Sequence, residues 1–441
     1  MSSGVWQIPK IPELRNRLLV MILLLGVYRI GVFIPNPGVD RTALQNFFQS
    51  AGNTLFGMYD MFAGGALEQF SIFTLGIMPY ISASIIIQLL AVAVPQLERL
   101  QKEGEAGRQK ITQYTRYGTI GLSIIQGTAI AFGLESMRAP GGEPVVIDPG
   151  WDFRAMSVLS LTTGTCFIMW LGERITDRGI GNGISLIIMA GIVARLPAAI
   201  YGTFEQVQRS EFNFLQVLLF GVFAFIVIGF IVFCERGQRR IPIQYAKRVV
   251  GRRVYGGQNT HLPLKINMAG VIPPIFSSSL MVLPATLGSF AQENVLLQTL
   301  SSAFLPGTTL YLVTYAVMTI FFCYFYTSVT FNPADVAENL QKHGGYIPGI
   351  RPGKSTAEYI DRLLTRLTLA GSLYITAVCI LPDILIQQAR VNFYFGGTGL
   401  LICVGVALDL VSQIESHLLT RHYDGLMGST GTTIRGRRAA R

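Results

Sequence analysis

The apolar positions of this chain fall in long continuous blocks, without the helical or alternating spacing of a soluble core. Ten blocks approach the length of about 20 residues that a helix needs to cross a hydrocarbon layer of about 30 Å. They are 18–36, 71–94, 114–134, 155–173, 182–201, 214–235, 268–290, 308–329, 366–386 and 393–413. Runs this long and unbroken predict helices, since the strands of a membrane barrel would alternate apolar and polar positions. The fifth block is the least uniform, because Asn182, Ser185 and Arg195 interrupt it. Met1 to Arg17 is polar and basic, and the apolar run Leu18 to Phe33 meets no small-residue cleavage site before Ile34-Pro35-Asn36-Pro37 stops it. That run is therefore expected to stay as the first span, not to leave as a signal peptide.

Composition sharpens the class. Hydrophobic residues make up 50% of the 441 and charged ones only 14%, against about a quarter charged in a soluble domain. The net charge is +10, and its distribution gives the orientation. Segments 1–17, 95–117, 174–181, 236–265, 330–366 and 414–441 hold 28 of the 35 Lys and Arg residues. The alternate connections hold Arg41, Arg138, Arg154, Arg195, Arg209 and Arg390, and Arg29 lies within the first span. Basic loops stay on the cytoplasmic side, so both termini are expected there and the number of spans is even. Five spans precede the connection at 202–213 and five follow it, so halves 1–205 and 206–441 would insert in opposite senses, as in inverted-repeat transport proteins. The expected architecture is an all-α membrane protein of ten transmembrane helices in two pseudo-symmetric five-helix halves.

Catalytic chemistry finds no foothold. The five cysteines (Cys166, Cys234, Cys323, Cys379, Cys403) form no Cys-x-x-Cys pair and have no neighbouring His, so neither metal nor disulfide is expected. Gly179-Ile180-Gly181-Asn182-Gly183 lacks the Lys-Ser/Thr of a nucleotide loop and reads as a tight turn opening the fifth span. Acids inside the spans are almost absent, Asp409 being the main exception, which disfavours a proton-coupled pump. No cofactor is implied, and the chain is not expected to be an enzyme. Two features do ask for a function. Residues 55–70, with Gly64-Gly65 at a hinge, are too polar and short to span; they either fold back into a cavity or lie on the outer surface as an amphipathic helix. The basic loops around Arg239-Arg240, Arg252-Arg253 and Arg351 either mark topology and attract anionic phospholipid or dock an acidic partner.

Several strings then point to one family. Met61-Phe62-Ala63-Gly64-Gly65-Ala66-Leu67, Gly76-Ile77-Met78-Pro79-Tyr80-Ile81-Ser82-Ala83-Ser84, Arg178-Gly179-Ile180-Gly181-Asn182-Gly183, Glu235-Arg236-Gly237-Gln238-Arg239-Arg240 and Gly349-Ile350-Arg351-Pro352-Gly353 resemble the bacterial SecY channel subunits of the general secretion translocon, in that family's order. The resemblance implies a central hourglass pore between the two halves, through which unfolded secretory polypeptide crosses the bacterial inner membrane and from which membrane segments leave sideways. It implies a constriction ring of Ile77, Ile81, Ile184, Ile188 and Ile275, with Ala407 at the sixth position, which leaves either a slightly wider ring or a neighbour such as Leu408 filling in. It implies a plug around Met61, Phe62, Gly64, Gly65 and Leu67, and a lateral gate between the second and third spans and the seventh and eighth. Ser82, Gln126, Ser278 and Ser279 are the polar members of that gate. Implied partners are the small subunits SecE and SecG, the motor ATPase SecA, the ribosome through its RNA and proteins, signal peptides and nascent chains. A secondary solute transporter is the competing reading, supported by topology and opposed by the scarcity of buried charge.

Overall fold

Each of the ten apolar blocks forms a helix. The structure, a computed structural model, describes residues 11–50, 63–137, 144–208, 214–245, 248–250, 253–255, 259–290, 308–389 and 397–435. In chain order the helices are α1 (Pro12–Val32), α2 (Arg41–Ser50), α3 (Met78–Ala93), α4 (Pro95–Lys102), α5 (Glu105–Ser136), α6 (Trp151–Arg178), α7 (Gly183–Gln208), α8 (Phe214–Arg236), α9 (Ile272–Phe290), α10 (Thr309–Thr330), α11 (Pro333–Lys342), α12 (Lys354–Ala389) and α13 (Gly397–Arg435). The predicted spans are α1, α3, α5 to α10, α12 and α13; the short α2, α4 and α11 connect them.

Proline sets several boundaries. It opens α1 at Pro12, α3 at Pro79 and α4 at Pro95, positions where its missing N–H costs nothing. At Val94-Pro95 the chain turns by 105°, so the apolar α3 gives way to an amphipathic α4 and does not extend. The second predicted span began at residue 71, but the helix begins only at Met78: residues 71–77 form turns, with Gly76 at φ 55°. Conversely α12 and α13 run well past their apolar blocks, to Lys354 at one end and Arg435 at the other, because polar helical extensions carry no hydropathy signal.

Two five-helix groups result. In the first, α3 packs on α5, α5 on α6, and α6 on α1 and α7; in the second, α9 packs on α10, α10 on α12, and α12 on α13, which also meets α8. The groups touch along two seams, α9 against α3 and α5 on one side and α13 against α7 on the other. One continuous buried core joins both groups across these seams. The outward faces are apolar and bare: Leu23 of α1 is 64% exposed, and Phe225 and Phe233 of α8 are 79% and 78% exposed. Such faces suit lipid and not water.

The all-helical expectation missed a small sheet in the basic loops. Strand β1 (Gln238–Tyr245) pairs antiparallel with β4 (Asn259–Lys265), from Gln238↔Lys265 to Gln244↔Asn259, and with β5 (Gly345–Tyr346). Between them β2 (Arg248–Val250) and β3 (Arg253–Tyr255) form a second hairpin. Ile241 and Leu264 of the sheet bury against Ile347 and against Ile360 and Leu364 of α12, a second core separate from the membrane one. Two basic loops distant in sequence thereby become one stiff platform.

Candidate functional site

The five ring isoleucines sit at or on α3, α7 and α9, helices that meet at the two seams. Ile77 and Ile81 lie one turn apart at the start of α3, with Ile81 N–H donating to the Ile77 carbonyl at 3.1 Å. Ile184 and Ile188 are likewise one turn apart on α7, and Ile275 sits in the first turn of α9. Four of the five are shut from the outside: Ile77 is 2% exposed, Ile81 6%, Ile188 2% and Ile275 5%. None of these four faces lipid. Ile184 is half-buried and lies near α6, where a Cβ added at Gly172 would come within 3.1 Å of its Cγ1. Ala407 is exposed on α13, while its neighbours Val406 and Leu408 line a cavity.

That cavity, of about 440 Å³, has Arg236 and Lys265 of the basic loop in its wall and none of the five isoleucines. Asn182 and Ser185 at the start of α7, Glu235 at the end of α8, Val271 ahead of α9 and Asp409 of α13 contribute to its wall. The turn leading into α9 is fixed by Asn267, whose side-chain amide donates to Glu235 Oε1 at 2.7 Å and to the Gly270 carbonyl at 3.1 Å. The Gly179–Gly183 string is the tight turn expected: Gly181 has φ 88°, and Asn182 Oδ1 accepts the Ile184 N–H at 3.0 Å, capping α7.

At the first seam the structure brings two predicted gate residues together across 197 positions of sequence: the Ser82 and Ser279 hydroxyl oxygens lie 2.7 Å apart, both side chains buried. This bond ties α3 to α9. Ser278 does not cross the seam; its hydroxyl donates to the Ile275 carbonyl of its own helix at 2.9 Å. Gln126 of α5 is half-buried, and its Oε1 accepts no hydrogen bond among the described residues. A single interhelical hydrogen bond inside a membrane contributes about 0.6 kcal/mol. Ser82→Ala should therefore shift the seam roughly threefold toward separation, measurable as faster crosslinking of a signal peptide to α3; an unchanged rate would show the bond idle.

Residues 63–77 return into the core of the molecule. Ala63, Ala66, Leu67, Phe70, Phe73 and Leu75 are all buried. Of the alternatives the sequence left open, this excludes an amphipathic helix on the outer surface for the described part; Met61 and Phe62 lie outside the described residues. Gly64 and Gly65 have φ 68° and 88°, conformations that a side chain disfavours. Phe70 adopts φ 42°, held there by hydrogen bonds from its own N–H to the Leu67 carbonyl and from the Asn36 N–H to its carbonyl. The Phe73 ring stacks between Tyr28 and Phe167 at centroid distances of 6.0 and 5.9 Å, against Gly31, where a Cβ would come within 2.0 Å of it. Two spans reach the segment with cations: Arg29 Nη1 donates to the Gly64 carbonyl at 2.7 Å, and Arg195 Nη2 to Glu68 Oε2 at 3.0 Å. Sequence reasoning noted both arginines and gave neither a partner, although a cation inside a span is itself a signal.

On the platform Arg239 and Arg240 of β1 are exposed, and Arg351 is exposed in a loop bounded by Gly349 and Gly353 at φ 83° and 101°. Arg253 lies in β3, opposite Val250. Arg252 lies outside the described residues.

Comparison with known proteins points one way. The family model described as SecY matches residues 71–411. A protein translocase subunit SecY of Escherichia coli (strain K12) is 54% identical over 418 residues, covering 94% of each chain. Among solved structures, a SecY protein whose plug domain is described as stabilising the closed state of the channel superposes with TM-score 0.63 at 18% identity, over 93% of this chain and 96% of that one. Sec61 in a canine ribosome–channel complex from the endoplasmic reticulum gives TM-score 0.59 at 16% identity, again over 93% and 96%. At those identities the structures speak for the fold alone.

Proposed function

The chain belongs to the SecY family of membrane-embedded, protein-conducting translocase subunits, and we propose that its polypeptide path runs through the collar of Ile77, Ile81, Ile184, Ile188 and Ile275. The observation that carries this is the burial of Ile77, Ile81, Ile188 and Ile275 on α3, α7 and α9, which come from both five-helix groups. Isoleucine is branched at Cβ and stiff, so a ring of it narrows the path without offering ions a ligand and resists leakage by dewetting. It offers passing chains no specific hydrogen bonds either, and so accepts any sequence. The sixth position belongs to Ala407, with Leu408 and Val406 beside it supplying bulk.

In this reading residues 1–205 and 206–441 are the two halves of a clamshell. The α3–α9 seam is the side exit for membrane segments, its polar members Ser82, Gln126, Ser278 and Ser279 receiving a signal peptide. Residues around Met61, Phe62, Gly64, Gly65 and Leu67 plug the path from outside. The chain performs no catalysis and takes energy from its partners. Both termini face the cytoplasm of a bacterial inner membrane, SecE and SecG pack on the lipid-facing helices, and anionic phospholipid surrounds the basic rim. The test is reconstitution: vesicles containing the chain with both small subunits should import an unfolded precursor when given SecA and ATP. Import that proceeds equally without this chain would overturn the reading. Solute transport, the other reading of opposed halves, gains no support from the family.

The platform would dock the ribosome or SecA through Arg239, Arg240, Arg252, Arg253 and Arg351. Contacts to ribosomal RNA release counterions, so affinity falls with salt in proportion to the phosphates neutralised. The charge-removing pair Arg239→Gln and Arg240→Gln should lower the slope of log affinity against log salt by roughly two. Binding of purified ribosomes at several salt concentrations measures it, and an unchanged slope would remove these residues from the interface.

A further inference from the structure

Two arginines stand within spans of a chain that keeps most charge out of them, and both turn to the same short segment. Arg29 lies in the last turn of α1 and Arg195 in the outer half of α7, seven residues beyond Ile188. Arg29 holds the Gly64 carbonyl at 2.7 Å and Arg195 the Glu68 carboxylate at 3.0 Å, with side-chain exposures of 20% for Arg195 and 36% for Glu68. Tyr28, next to Arg29, donates its hydroxyl to the Ala63 carbonyl at 3.3 Å. The fit is close on the backbone side as well: a Cβ at Gly64 would stand 2.9 Å from the Gly191 Cα, and one at Gly191 would stand 3.2 Å from the Gly64 Cα.

The two ends of this segment share apolar burial and differ in what is added to it. Residues 70–74 are fastened by Phe73 in its aromatic slot, by Ser71 N–H donating to the Ala66 carbonyl and by Ile72 N–H donating to the Ile34 carbonyl. Residues 63–68 share in the core through buried Ala63, Ala66 and Leu67, and add two cations, a hydroxyl and a glycine-on-glycine contact. Apolar stacking keeps its strength as water enters, whereas ion pairs and charge-assisted hydrogen bonds weaken as the local dielectric rises. A hydrated chain entering the pore would thus loosen the tip first and leave the root in place.

We propose that Arg29 and Arg195 are positioning residues that clasp residues 63–68 in the resting channel, with Glu68–Arg195 as the releasable ion pair. This deepens the reading of that segment as the plug and rests on it. The experiment records resting ion conductance of the complete channel, with its small subunits, in planar bilayers. Glu68→Arg and Arg195→Glu each place like charges together and should raise resting conductance roughly tenfold, the population shift expected from a broken, partly buried pair. The double swap, Glu68→Arg with Arg195→Glu, restores the pair in reverse and should return conductance toward that of the parent, which a merely structural role would not do. Deletion of residues 57–67 serves as reference. Silent single variants beside a leaky deletion would overturn the clasp while leaving the plug intact. A double swap as leaky as the worse single variant would overturn it too. A tight deletion would defeat the plug reading, and the clasp with it.

Discussion

Oxidising a channel that carries Ser82→Cys and Ser279→Cys is expected to stop signal insertion and lateral release, and adding reductant to restore both. The two hydroxyl oxygens lie 2.7 Å apart, and sulfurs at the same positions need close only to about 2.05 Å to form a disulfide. The native link between α3 and α9 is a single hydrogen bond inside a membrane, worth about 0.6 kcal/mol and broken by thermal motion; the disulfide makes separation impossible without reduction. Serine-to-cysteine exchange alone changes little volume, so each single variant should export and integrate normally. Export of a cleavable precursor and membrane integration of a single-span protein, assayed with and without reductant, measure the effect. Unimpaired integration through a fully crosslinked channel would show that membrane segments leave elsewhere than at the α3–α9 seam.

The second large effect is expected at the collar. Ile81→Gly or Ile188→Gly should make resting bilayers leak ions, and the two together more so, whereas Ile81→Val should stay tight because valine keeps the branch at Cβ. The ordinary role of a buried isoleucine gives a different result. A residue that only packs helices costs about 2–5 kcal/mol of stability when truncated and leaves conductance unchanged. Single-channel recording together with thermal melting in detergent separates the two. A destabilised but electrically silent Ile81→Gly channel would reassign that residue to packing.

Much of the architecture could be read from the sequence because a bilayer imposes length and hydropathy on every span. All ten apolar blocks became helices, and the basic segments at 236–265 and 330–366 came together on one platform. Where physics was less one-sided, reading fell short. Residues 71–77 are as apolar as a helix start, yet they form buried turns, since Gly76 and the Phe73 slot hold them in another shape. The sheet left a faint trace, the alternation of Ile241 and Ile243 in a strongly charged run, which the reading of that run as a charged surface concealed. The span limits of α12 and α13 were hidden by polar helix extending beyond the membrane.

The site was legible in kind and not in contact. Isoleucines at i and i+4 on two spans mark one face of each helix, but whether that face meets lipid or the centre is decided by neighbours hundreds of residues away. The Ser82–Ser279 bond joins positions that no local pattern relates. Ser278, next in line, turned back to its own helix. The partners of Arg29 and Arg195 were equally invisible, because one of them is a backbone carbonyl and the other an acid on a segment with no helical period.

The measurement that bears most directly on the path is crosslinking from Ile275. A channel with Ile275→Cys as its one reactive thiol should form a disulfide with a cysteine placed midway along a precursor stalled in transit, and a control cysteine at the lipid-facing Phe225 should not. Adducts at Phe225 and none at Ile275, while the same precursor still crosses the membrane, would contradict a route through the isoleucine collar.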